Sequence, residues 1–115
     1  MAKSVNQRLQ RDVLRLLTEL LRRDVDDPQL SMLTLTEVEI SHGSYDATVR
    51  VCGFDVQAEA AKSMVGRLNR MAPHFGHSLR RALKKKTIPK LHFVWDESMD
   101  KTADMMALLR DIRHD

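Results

Sequence analysis

Nine lysines and arginines fall between residues 58 and 90: Lys62, Arg67, Arg70, Arg80, Arg81, Lys84, Lys85, Lys86 and Lys90, against the single acid Glu59. The local balance of +8 exceeds the +3 of the whole 115-residue chain, so the positive charge is concentrated. Guanidinium and ammonium groups packed on one small surface neutralise phosphates, and the polyanion such a surface most often meets in a cytosol is nucleic acid. Residues 1–23 add a second basic stretch, while residues 24–57 set Arg50 against seven acids. If the basic segments lie side by side, the molecule has one basic and one acidic face.

Catalytic and metal chemistry find no footing. There is no phosphate-cradling glycine loop, no His-Glu-x-x-His and no nucleophile elbow. His74 and His77 are three apart, but no third ligand is within sequence reach, so no metal site and no cofactor is expected. Asp24, Asp26 and Asp27 lack the glycine and spacing of a calcium loop. Polar roles beside a helix kink account for both histidines, with nucleic-acid contact as their functional alternative. An enzyme is not expected, nor a small-molecule substrate.

The basic residues must be carried by helices. Val5, Leu9, Val13, Leu16, Leu17, Leu20 and Leu21 repeat at helical spacing, Ser4 and Gln7 have the spacing of a capping box, and Asp27-Pro28 marks the end. Arg8, Arg11 and Arg15 line one edge of that helix. They extend the basic face or pair with Asp12 and Glu19. Leu33 and Leu35 share one strand face and Val38 and Ile40 the other, which predicts a β-bulge near Thr36 or Glu37. Tyr45, Ala47, Val49, Val51 and Gly53 alternate on the buried side of a partner strand, in which Cys52 reads as a small buried residue.

Ala61, Met64, Val65 and Leu68 form one helical stripe and Phe75, Leu79, Ala82 and Leu83 a second. Pro73 falls between them and predicts a kink or restart over Met71, Ala72 and Pro73. Leu91, Phe93 and Trp95 alternate as a third strand. Phe93, Trp95 and Tyr45 read as core, with base stacking the alternative. Residues 1–98 form one domain, and residues 99–115 a short helix or partly ordered tail. No apolar run approaches a membrane span, no signal peptide precedes the first helix and one cysteine cannot make an internal disulfide, which together imply a soluble intracellular protein.

The order helix, strand, strand, helix, kink, helix, strand gives an α+β fold, a single KH type II-like domain with a three-stranded sheet packed against helices. Within that class the sequence resembles the ribosome-binding factor A family. The residues that carry the likeness are Asp27-Pro28-Gln29-Leu30, Thr34 to Ser41, Ala47-Thr48-Val49-Arg50-Val51, and Ile88 to Ser98. The family has no GxxG clamp between its helices, and none occurs here. Its Ala-x-Gly kink falls on Met71-Ala72-Pro73, where Met71 and Pro73 depart from the pattern.

The resemblance implies a cytoplasmic, monomeric factor whose partners are 16S rRNA and the free 30S subunit. It would act in late maturation near the 5′ end helix and the decoding-centre neck, and support growth in the cold. RNA contact then falls to Lys62, Arg67, Arg70, His74, His77, Arg80, Arg81, Lys84, Lys85, Lys86 and Lys90. With roughly six phosphates engaged, log affinity would fall against log salt with a slope of about −4 to −5. Two rival readings stand beside it. One is a KH-like regulator of single-stranded RNA. The other is a protein–protein adaptor working through Asp24, Asp26, Asp27, Glu37 and Glu39.

Overall fold

A computed structural model describes residues 2–41, 43 and 45–97. Helix α1 runs Ala2–Asp24, with Val13, Leu17, Leu20 and Leu21 buried along the predicted stripe. It begins earlier than the capping-box spacing suggests, so Ser4 lies inside the helix instead of at its cap. A short helical turn that the sequence did not announce, α2 (Pro28–Ser31), follows at once. Its cap is Asp27, whose carboxylate accepts a hydrogen bond from the Gln29 amide, and Pro28 occupies a first-turn position that needs no N–H.

Strands β1 (Thr34–Ile40) and β2 (Asp46–Cys52) pair antiparallel, with the register shifting between Leu35 and Glu37. Thr36 is thus the extra residue, and it brings Leu35, Val38 and Ile40 all to the core, as the alternation required. Strand β3 (Lys90–Trp95) then lies parallel to β2, giving the order β1-β2-β3. Parallel pairing needs a crossover, and the long helix α3 (Ala58–Leu83) supplies it. Ala47, Val49 and Val51 are fully buried between the sheet and the helices, against Leu68, Phe75 and Leu79 from α3.

Four expectations change. Of the kink or restart expected over Met71, Ala72 and Pro73, the restart does not occur: α3 stays helical through all three. Proline costs one intrahelical bond, but the helix is seated on the sheet on both sides of it by Leu68 and Phe75, so packing overrides the local break. Tyr45 is exposed, because β2 begins one residue after it. Cys52 is only half-buried, since it shares the outward face of β2 with Thr48 and Arg50. Ala82, at the end of α3, is exposed, while Leu83 is half-buried. The expected segment at residues 99–115 lies outside the described residues. Among the described residues, no helix is long and apolar enough to cross a membrane.

Candidate nucleic-acid interface

Helix α3 presents its basic residues on two flanks with different fates. On the flank facing β3, Ala72, Pro73 and Gly76 form one wall of an open groove of about 560 Å³. Ile88, Pro89 and Leu91 form the other. No neighbour lies within 4 Å of where a Cβ on Gly76 would stand, so the groove is open there. Its polar groups are His77, Arg80, Lys90, His92 and Asn69. Arg80 lies 3.5 Å from the His77 ring, and both side chains are exposed.

The helix ends beside this groove. Lys84 takes a left-handed conformation (φ 55°), its amide donates to the carbonyls of Arg80 and Arg81, and the Lys85 amide donates to the Arg80 carbonyl. That cap turns the chain sharply and fans Lys84, Lys85 and Lys86 around the helix end, all exposed. Glycine would take this backbone without the Cβ penalty. Lys84→Gly is therefore expected to raise unfolding free energy by up to about 1 kcal/mol in urea titration. It should also weaken polyanion binding through the lost charge.

The other flank is engaged inside the protein. Arg67 is half-buried and donates to the Asp27 carboxylate and, at 3.1 Å, to the Gln29 side chain, fastening α3 to the α1–α2 corner. His74 lies 3.5 Å from Asp24, which also accepts from Arg23 at 3.1 Å. The hydrogen bond from Arg23 first, then its charge and the contact with His74, hold the Asp24 carboxyl below its ordinary pKa. A depressed folded-state pKa gives stability that is present above the unfolded value and lost as pH falls through the folded one. Asp24→Asn should accordingly lower the urea midpoint at neutral pH and converge with the parent as pH falls through the acid range, so that the midpoint depends less steeply on pH there.

Among the eleven residues proposed from sequence, His77, Arg80 and Lys90 meet at the groove, and Lys84, Lys85 and Lys86 gather at its end. Arg70 and Arg81 are exposed on the helix back. Lys62 is exposed but stands 22 residues before Lys84, roughly 33 Å along the axis at 1.5 Å per residue. Arg67 and His74 are drawn to carboxylates on the far flank.

Two groove residues escaped the sequence reading. His92 points outward from β3 beside Lys90, and its strand position was the available signal. Asn69 had none. Its amide accepts from the Phe93 N–H at 2.8 Å and donates to the Phe93 carbonyl at 3.0 Å, occupying the free edge of β3 that β2 cannot reach. It thereby sets how α3 sits against the strand and closes the inner end of the groove.

These elements define a KH type II-like α+β domain with one basic helix flank left open beside an edge strand. The chain belongs to the ribosome-binding factor A family: the family model for ribosome-binding factor A matches residues 5–109. Ribosome-binding factor A from Pseudomonas fluorescens (strain SBW25) is 37% identical over 108 residues, covering 92% of this chain and 82% of that protein. The crystal structure of ribosome-binding factor A from Thermus thermophilus superposes with a TM-score of 0.66 at 24% identity, over 77% of this chain and 93% of that one. A Thermus thermophilus ribosome binding factor A model fitted into a cryo-EM map of a 30S complex gives 0.63 at 24% identity, over 78% and 93%. Ribosome-binding factor A is not a known enzyme family.

Proposed function

We propose that this chain binds the free small ribosomal subunit in the cytoplasm, as a monomer, and assists late maturation of 16S rRNA. In this reading the contact is made by His77, Arg80, Lys84, Lys85, Lys86 and Lys90, with Arg81 and Arg70 on its margin. The observation that carries it is the uncompensated charge there. Among the described residues, no salt bridge joins Arg80, Arg81, Lys84, Lys85, Lys86 or Lys90 to a carboxylate, whereas Arg67 and Arg23 each have one and Arg50 has two. Cations left facing water on a family member of this kind are available for phosphates. The relative fitted into a 30S complex supports the choice of partner. A part in growth in the cold belongs to the same proposal, since misfolded rRNA helices are harder to undo at low temperature.

The adaptor reading loses ground on the same comparison of paired and unpaired charges. Asp24 and Asp27 are engaged with Arg23, His74 and Arg67, and Glu37 and Glu39 lie 3.6 and 3.8 Å from Arg50. Four of its five acids thus already have a cation beside them within the fold, Glu37 and Glu39 sharing Arg50. Co-sedimentation with small subunits, large subunits and intact ribosomes across a salt series tests the proposal. Selective binding to free small subunits that weakens with salt is expected. Indifference to small subunits at low salt, with tight binding to short unstructured RNA, would replace it with the RNA-regulator reading.

A further inference from the structure

Past Glu59 the chain carries no acid until Asp96, so every charged side chain of α3 beyond its first turn is a cation. Leu68, Phe75 and Leu79 turn one side of this helix to the core. On the opposite side, steps of three and four residues run through Lys62, Gly66, Arg70, Pro73, His77 and Arg81, all exposed. Lys84 at the helix end continues the line. From Lys62 to Lys84 the ridge is about 33 Å long at 1.5 Å per residue. Among the described residues, no salt bridge engages Lys62, Arg70, Arg81 or Lys84. Arg67 and His74, which do have carboxylates beside them, lie off the ridge on the flank of Asp27 and Asp24.

Gly66 is the low point of the ridge. Its backbone is helical, and no atom lies within 4 Å of where its Cβ would stand. Glycine is less favourable inside a helix than residues with a side chain, and here no internal neighbour demands it. Set between Lys62 and Arg70, it leaves room for a backbone to approach from outside.

We infer that a single ribose-phosphate strand lies along this ridge from Lys84 back to Lys62 and comes closest to the helix at Gly66. The inference rests on the RNA reading above and names the form of RNA that the helix takes. A straight line of cations on one helix matches a backbone that can be drawn out straight. In an A-form duplex each strand spirals away from such a line, and the deep, narrow major groove does not admit a helix. A strand held by Arg80 and Lys84 meets the rest of the ridge next. Lys62 and Arg70 are then contacts of its far portion.

The full chain is titrated by fluorescence anisotropy with a labelled oligouridylate of about ten nucleotides, a length typical of single-strand sites, and with an RNA duplex of similar length. Tighter binding of the single strand near 0.1 M salt is expected. Lys62→Ala with Arg70→Ala should lower the slope of log affinity against log salt by about 1.4, at about 0.7 per contact to a single strand. Near 0.1 M salt that is a loss of more than about tenfold. Arg8→Ala, which removes one exposed charge from α1, should leave the slope unchanged. Gly66→Gln should raise the urea midpoint while weakening the strand several-fold, opposite signs that a purely structural residue would not give. Tighter binding of the duplex, an unchanged slope in the double variant, or equal weakening by Arg8→Ala overturns the inference. Full affinity in Gly66→Gln, or equal binding of a glutamate peptide, overturns it as well. All of these leave the proposed function standing if small subunits still co-sediment; loss of binding to every RNA and to subunits alike removes both.

Discussion

Replacing Arg80, Lys84 and Lys85 together by glutamate is expected to lower affinity for small subunits by about two to three orders of magnitude near 0.1 M salt. Each phosphate contact releases condensed counterions and contributes about 0.7–0.9 to the slope of log affinity against log salt. At 0.1 M salt that is roughly 0.7–0.9 of a decade per contact, so three lost contacts remove about two to three decades. Repulsion by the new carboxylates adds to the loss. The slope itself should shrink by about two to three, which separates lost phosphate contacts from a lost shape match. The fold should survive, because all three side chains are exposed and glutamate at position 84 meets the same left-handed backbone that lysine already tolerates. Co-sedimentation across a salt series, with urea midpoints alongside, makes the measurement. An unchanged slope with an unchanged midpoint would remove these residues from the RNA contact.

Phe75→Ala carries the largest expected effect on stability. Phe75 is 1% exposed and meets the ring of Phe93 edge to face, with centroids 5.8 Å apart. It anchors the second half of α3, two residues after the helix has lost a hydrogen bond at Pro73. Truncating a buried phenylalanine costs about 3–5 kcal/mol, of a total that for a domain of this kind is about 5–15 kcal/mol. At about 4–8 °C per kcal/mol, the melting temperature should fall by more than about 12 °C. Subunit binding should fail with it on warming, since the groove's helical wall is held in place by this ring. Tyr45→Ala offers the contrast: the ring is exposed, and the change should stay within about 0.5 kcal/mol. A melting temperature for Phe75→Ala within a few degrees of the parent would show that the core relaxes around the cavity, and that Leu68 and Leu79 alone seat the helix.

The elements that declared themselves along the chain did so through periodicity. Val13, Leu17 and Leu21 repeat at helical spacing, and Leu35, Val38 and Ile40 break strand alternation by one residue, so both the helix and the bulge were legible before any coordinates. Burial of one face imposes those periods locally, and a bulge shows as a phase error in them. The exposed lysines at the end of α3 were legible for a similar reason: a run of one sign must stay in water. A helix restart at Pro73 was a local rule that lost to packing. Tyr45 fitted the alternation of β2, but nothing in the pattern shows where a strand begins.

By itself the sequence determined the order of the main α and β elements, a bulge at Thr36 or Glu37, the concentration of positive charge between residues 58 and 90, and membership of the family through motifs spread along the chain. Only the tertiary structure decided which of those charges remain available. Arg67 is 40 residues from Asp27 and His74 is 50 from Asp24, yet these pairs close one flank of α3 while Arg80 and Lys90 frame the other. The pairing of β3 with β2 and the Asn69 contact with Phe93 were equally out of reach. Charge and periodicity are properties of neighbours in sequence. Which cation meets which carboxylate is decided by how a crossover helix lies on its sheet, and that follows from the packing of the whole core.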